Sequence, residues 1–134
     1  MVWIMNKQQG KEIMKKILLL VVMMVTLTGT AQAEVPPDQQ AEVAHLLQFV
    51  KNSPCRVNRN GSLHQGAEAT AHIQKKYDYF SKKVKTTEDF IEYSASKSTL
   101  SKKDYTVLCD GQEPIRTKDW LLQELETYRR GTRR

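Results

Sequence analysis

The sequence lacks most of what marks an enzyme at a glance. Its 134 residues include three histidines and two cysteines. There is no Cys-x-x-Cys, H-E-x-x-H or G-x-S-x-G, and no glycine-rich phosphate loop. These absences remove the common thiol-redox, zinc-protease, serine-hydrolase and nucleotide-binding readings, and they leave no cofactor fingerprint. Nor is there an apolar run of about 20 residues, the length a membrane-spanning helix needs. Aromatic residues make up only 7% of the chain. Where tyrosines alternate with lysines, in QKKYDYFSKK, lysines flanking a core stripe explain the pattern better than a nucleic-acid surface does.

What is present begins at Met14, from which the chain reads MKKILLLVVMMVTLTGTAQAEVPP. Lys15 and Lys16 form a positive n-region, and Ile17 to Leu27 form a short apolar run. Gly29 breaks that run, and Ala31-Gln32-Ala33 is a small-x-small cleavage site. Together these make a secretory signal peptide over residues 1–33, cut after Ala33. Residues 1–13 read as an overlong start or, alternatively, an unusually long n-region. The rest, 34–134, is expected to be one exported periplasmic domain of about 100 residues, enough for a single small core. No cysteine stands directly after the cut, so no lipid anchor, and hence no stable membrane anchor, is expected after cleavage. An exported protein rarely meets nucleic acid, and none is expected as a partner.

From residue 34 onward, 17 basic and 14 acidic residues leave a net charge of +3, against +6 for the whole chain. Arg129, Arg130, Arg133 and Arg134 crowd the C-terminus. They read as a solvated, frayed tail over 129–134, or as a weak contact with anionic polymer or lipid headgroups. Cys55 and Cys109 both survive cleavage, and an even count in an oxidising compartment points to a disulfide between them.

Periodicity predicts a small, mainly helical α+β domain of order α-β-α-α-β-α. Asp38 caps a helix to about Lys51, with Val43, Leu46, Leu47 and Val50 inward. CRVN at 55–58 is a short strand, and Asn60-Gly61 is a turn. Ser62 and Gln65 stand three apart, as in a capping box, and open a helix to about Lys83. Thr86 caps another helix, and a serine-rich loop follows. YTVLC at 105–109 is a second strand, antiparallel to the first, and Thr117 caps a last helix with Leu121, Leu125 and Tyr128 inward.

One spacing invites a chemical reading. His64, Glu68 and His72 fall at intervals of four, stacked on one side of the expected helix and opposite its apolar stripe. His64 and His72 would lie about 12 Å apart along the axis, too far to share one metal ion, so no metal site is expected. Glu68 and His72 could form a general acid–base pair, with a loop serine such as Ser98 as an accessory. The other reading is a solvated face with an ordinary surface pair. Tyr79, a large ring on that same side, suggests that part of the face is covered.

The blocks NRNGSLHQGAEATAHIQKKY and KTTEDFIEYSASKSTLSKKDYTV resemble the YfeK-like proteins, a family of small exported bacterial proteins of unknown function. The likeness runs over roughly 42–129. It rests on Arg59-Asn60-Gly61, Glu68-Ala69, His72, Lys76, Thr87 to Ile91, the serines at 96–101, Tyr105, and Trp120-Leu121. The chain departs from it at Ser101-Lys102-Lys103-Asp104, where Ser-Gly-Lys would precede the tyrosine. The resemblance implies an exported single domain and brings no activity. Together with the residues, it leaves two functions open. One is a non-enzymatic binding or envelope-associated module presenting Arg59, Glu68, His72 and Lys76 to an unidentified partner. The other is a small acid–base hydrolase using Glu68 and His72 with Ser98.

Overall fold

Residues 6–25 and 35–133 are described by the computed structural model. They belong to two separate units, Met1–Gln32 and Ala33–Arg134. In the first, α1 (Asn6–Val25) holds the apolar run as far as Val25, and Leu18, Leu19 and Leu20 stand exposed on it. Among the described residues no helix is long and apolar enough to cross a membrane. The cleavage triplet at 31–33 lies outside the described residues.

The second unit opens with α2 (Pro37–Asn52). Pro37 occupies the first helical position, where a missing N–H costs nothing. Pro36 is therefore the cap residue, and Asp38 sits inside the first turn, where its charge favours the positive end of the helix. Then come β1 (Arg56–Arg59), β2 (Ser62–His64) and α3 (Gly66–Phe80). Asn60 and Gly61 have φ of 52° and 88°, the left-handed pair that a two-residue hairpin turn requires. This turn corrects the expected capping box. It sends the chain straight back along β1, so Ser62 pairs with Arg59 in a strand and α3 starts four residues later, with Gln65 as its cap residue and no side-chain cap.

Thr86 caps α4 (Thr87–Phe90) as expected, accepting the Asp89 N–H at 3.0 Å. One π turn (Ile91–Ala95) prolongs α4. After the loop come β3 (Thr106–Leu108), β4 (Ile115–Arg116) and α5 (Thr117–Thr132). Thr117 is thus the first helical residue rather than the cap. The strands form one antiparallel sheet, ordered β2-β1-β3-β4. The α+β reading holds, with four strands in place of the expected pair.

Val57 on β1 lies opposite Val107 on β3, and both are buried. One step beyond the Arg56–Leu108 pair, Cys55 and Cys109 are joined by a disulfide with Cα atoms 4.5 Å apart. That is the spacing of a directly opposed, non-hydrogen-bonded antiparallel pair. Leu46 and Val50 of α2, Ile73 of α3, Phe90, Ile91, Leu121 and Leu125 make the core. Each such side chain contributes about 1.5–3 kcal/mol when fully buried. Helix α3 also touches β1, and α5 touches β3 and β4.

The basic C-terminus is less of a tail than its composition suggests, because α5 carries Arg129 and Arg130 on to Thr132. Arg129 donates to Glu42 at 2.5 and 3.0 Å and to Glu88 at 2.5 Å. These bonds hold both carboxyls below the usual carboxylate range. Arg134 lies outside the described residues.

Candidate functional site

Helix α3 brings His72 and Lys76 to one side of the domain, one turn apart. The β1–β2 hairpin lays Arg59 and His64 against that side, and the segment leading into β3 adds Tyr105. The serine loop closes over the arrangement. Lys97 bridges to Asp104, the Ser98 N–H donates to the Lys103 carbonyl at 2.9 Å, and Lys102 adopts φ of 62°. Two bonds fasten this loop to the rest. Lys76 Nζ donates to the Lys97 carbonyl at 2.6 Å, and Ser101 Oγ donates to Asn60 Oδ1 at 2.8 Å.

The sequence placed His64, Glu68 and His72 on one helix. In the structure His64 is on β2, and it is His64, not His72, that engages Glu68. Arg59 Nη2 faces His64 Nε2 at 3.2 Å, and His64 Nδ1 faces Glu68 Oε1 at 2.7 Å. A guanidinium only donates, so Nε2 accepts and the Nδ1 proton goes to Glu68. The hairpin turn explains the change, because it lifts His64 off the helix and swings it back over the first turn of α3.

His72 is half-buried, and its Nε2 lies 3.3 Å from the Tyr105 hydroxyl, the rings meeting edge to face. Burial, then the nearby Arg59, Lys76, His64 and Lys75, push its pKa down to about 4, so the ring is neutral at pH 7. Lys76 is buried and its ammonium lies 5.1 Å from the centre of the Tyr105 ring. Burial lowers its pKa, and Arg59, Lys102 and Lys97 lower it further. Burial raises the Tyr105 phenol.

Ser98 is buried, and its hydroxyl accepts the N–H of Ser101 within its own loop at 3.2 Å. Among the described residues no serine bonds His72 or Glu68, so the expected Glu68–His72–serine grouping is not assembled. Tyr79 is 81% exposed, leaning on Phe80. The face is covered over His72 and Lys76 and open at Tyr79.

What is assembled is a cluster of donors. Among the described residues Arg59 and Lys76 make no ion pair, and Arg59 Nε is buried with no hydrogen-bond partner. Three half-buried or exposed cations elsewhere are matched, Arg129 by Glu42 and Glu88, Lys118 by Glu92 at 2.5 Å, and Arg116 by Asp119 at 2.8 Å, whereas the buried Lys76 is not. Among the described residues no group of three His, Cys, Asp or Glu side chains is placed to hold a metal ion. Reading the sequence missed Tyr105 as a partner of His72, and the signals available were its place ahead of a strand and its part, with His72, in the family resemblance.

No curated protein and no solved structure matches the chain. The chain does match, over residues 37–129, a family of unknown function (DUF5329). That span takes in α2 to all but the last turn of α5, with the hairpin, the serine loop and every residue of the donor cluster, and the chain belongs to this family.

Proposed function

We propose that the domain is an exported, non-enzymatic binding module of the bacterial envelope that takes an anionic group on Arg59, His72 and Lys76. The single observation behind this reading is the unmatched cationic cluster. Two full cations stand beside a neutral imidazole and a phenol, and the carboxylate bonded into the group, Glu68, is engaged by His64. A fold tolerates like charges with one of them buried only at a cost in stability. An oxyanion removes that cost and accepts charge-assisted hydrogen bonds from both cations.

Export is supported by the leader pattern of residues 14–33, by the disulfide and by the YfeK-like resemblance. The acid–base alternative loses support, because Glu68 orients His64 instead of His72. A ring held neutral among cations is also poorly suited to take up a proton before an anion arrives.

The test uses protein recovered from the periplasm, whose first residue should be Glu34. Titration with sulfate, followed by NMR, should give saturable shifts at Arg59, His72 and Lys76. Arg59→Gln should weaken binding at least about tenfold, the worth of one charge-assisted bond. Non-saturable shifts, or equal affinity in Arg59→Gln, would overturn the reading.

A further inference from the structure

We infer that the anion this cluster meets is the headgroup phosphate of an anionic membrane surface, with Leu100 and Tyr79 as apolar contacts dipping into the interface beside it. This inference rests on the anion site proposed above and names the source of the anion. A singly exposed apolar side chain is ordinary and by itself says nothing. Here position and setting carry the argument. Leu100 is 94% exposed, at the apex of the 98–103 loop. That loop is closed on itself by the Ser98–Lys103 and Lys102–Ser98 backbone bonds and tied at its sides to Lys76 and Asn60. An apolar side chain is thus held outward on an ordered support, where a mobile loop could fold it inward.

Tyr79 belongs to the same side. Measured around α3 from His72, Lys75 lies at about −60°, Lys76 at about +40° and Tyr79 at about −20°. Asp78 lies at about −120°, turned away and hydrogen-bonded by Gln74 at 2.9 Å. Lys102 and Lys103, both exposed, follow Leu100 in the loop. Exposed apolar groups on the same loop and helix as these lysines and as the proposed oxyanion ligands combine the two signals that peripheral attachment to an anionic bilayer needs. Each cation near such a surface contributes about fivefold in affinity, through an attraction that salt screens. Leucine at the acyl boundary adds a term that salt does not weaken.

The experiment is co-sedimentation of the exported protein with vesicles of phosphatidylglycerol and phosphatidylcholine, run beside the sulfate titration. Binding should require phosphatidylglycerol and fall with added salt. It should drop at least about tenfold in Leu100→Ser and again in Leu100→Ser/Tyr79→Ser, while both variants keep the parent affinity for sulfate. Arg130→Gln/Arg133→Gln should bind vesicles like the parent. Sulfate binding without vesicle binding would overturn the membrane inference and leave the anion site standing. Loss of both would remove the two readings together. Vesicle binding indifferent to Leu100 and Arg59, or abolished in the Arg130/Arg133 variant, would also overturn it by locating the contact elsewhere.

Discussion

Lys76 reaches from the middle of α3 to the carbonyl of Lys97, 2.6 Å away, and holds the serine loop against the helix. The same ammonium is buried among Arg59, Lys97 and Lys102, so it both staples the loop and repels its neighbours. These effects oppose each other, which makes its removal informative. Lys76→Met gives up a hydrogen bond to a charged donor, worth about 1.5–3 kcal/mol, and relieves a buried charge of comparable cost. Stability should therefore change by less than about 1 kcal/mol, while sulfate affinity falls at least about tenfold. Urea unfolding followed by Trp120 fluorescence, with a sulfate titration of the same variant, checks both halves.

His72 gives the fold a pH dependence with a definite sign. Unfolded, its pKa is the ordinary 6.5; folded, it is about 4. Between those values the unfolded chain holds about one more proton than the folded one, so stability falls as pH drops from 6.5 to 4 and is unaffected above that window. His72→Gln should flatten this slope. Glu42, Glu88 and Glu92 have lowered pKa values. Their contribution is present above 4.5 and is lost as pH falls below it, so the two windows meet only at the lower end of the histidine's. Bound sulfate, which does not titrate here, favours the charged ring, so its affinity should rise as pH falls toward the folded value of about 4. A His72→Gln variant with the parent's pH–stability profile would refute the assignment.

Gly66 meets the end of α2. A β-carbon there would lie 2.4 Å from the Val50 carbonyl oxygen and 2.7 Å from that of Lys51. Both are backbone atoms, so the clash cannot be relieved by turning a side chain. Gly66→Ala should cost about 1–3 kcal/mol, as overpacking does, although alanine is the better helix former. Gly131, near the end of α5, has open space around its Cβ position, and Gly131→Ala should be neutral or slightly stabilising. Thermal unfolding of the pair separates close approach from helix propensity.

Helix periodicity in the sequence survived into the fold, and so did one non-local pair, the cysteines that mark β1 against β3, but most side-chain partners distant in sequence were not legible. Thr86 with Asp89 is a contact three residues apart, and Leu46, Val50, Leu121 and Leu125 are inward by simple periodicity. Strands β2 and β4 have three and two residues, too short to show alternation, and they exist because β1 and β3 offer them edges. The pairing of His72 with Tyr105 spans 33 residues and that of Arg129 with Glu42 spans 87. No spacing rule reaches that far. Arg59, Glu68, His72 and Lys76 were all legible as residues of interest. What was not legible is that His64 and not His72 engages Glu68, because one left-handed turn at Asn60-Gly61 decides whether His64 belongs to a helix or a strand.

The disulfide supports the most demanding stability prediction. It closes a sequence separation of 54 residues, and in the chain-entropy model a loop of that size is worth about 4 kcal/mol. Cys55 and Cys109 sit directly opposite each other at the end of the β1–β3 ladder, so nothing in the native pairing must shift to accommodate them. The Cys55→Ser/Cys109→Ser variant should therefore keep the sheet register and lose about 4 kcal/mol, less where the unbridged chain stays partly ordered. For a domain this small, that is a large share of the usual 5–15 kcal/mol. Urea midpoints of the bridged, reduced and double-serine proteins measure the loss. Native protein that labels with a thiol reagent at both cysteines before unfolding would refute the bridge. A double variant as stable as the parent would show that the four-stranded sheet and the Arg129–Glu42 pair hold the fold without it.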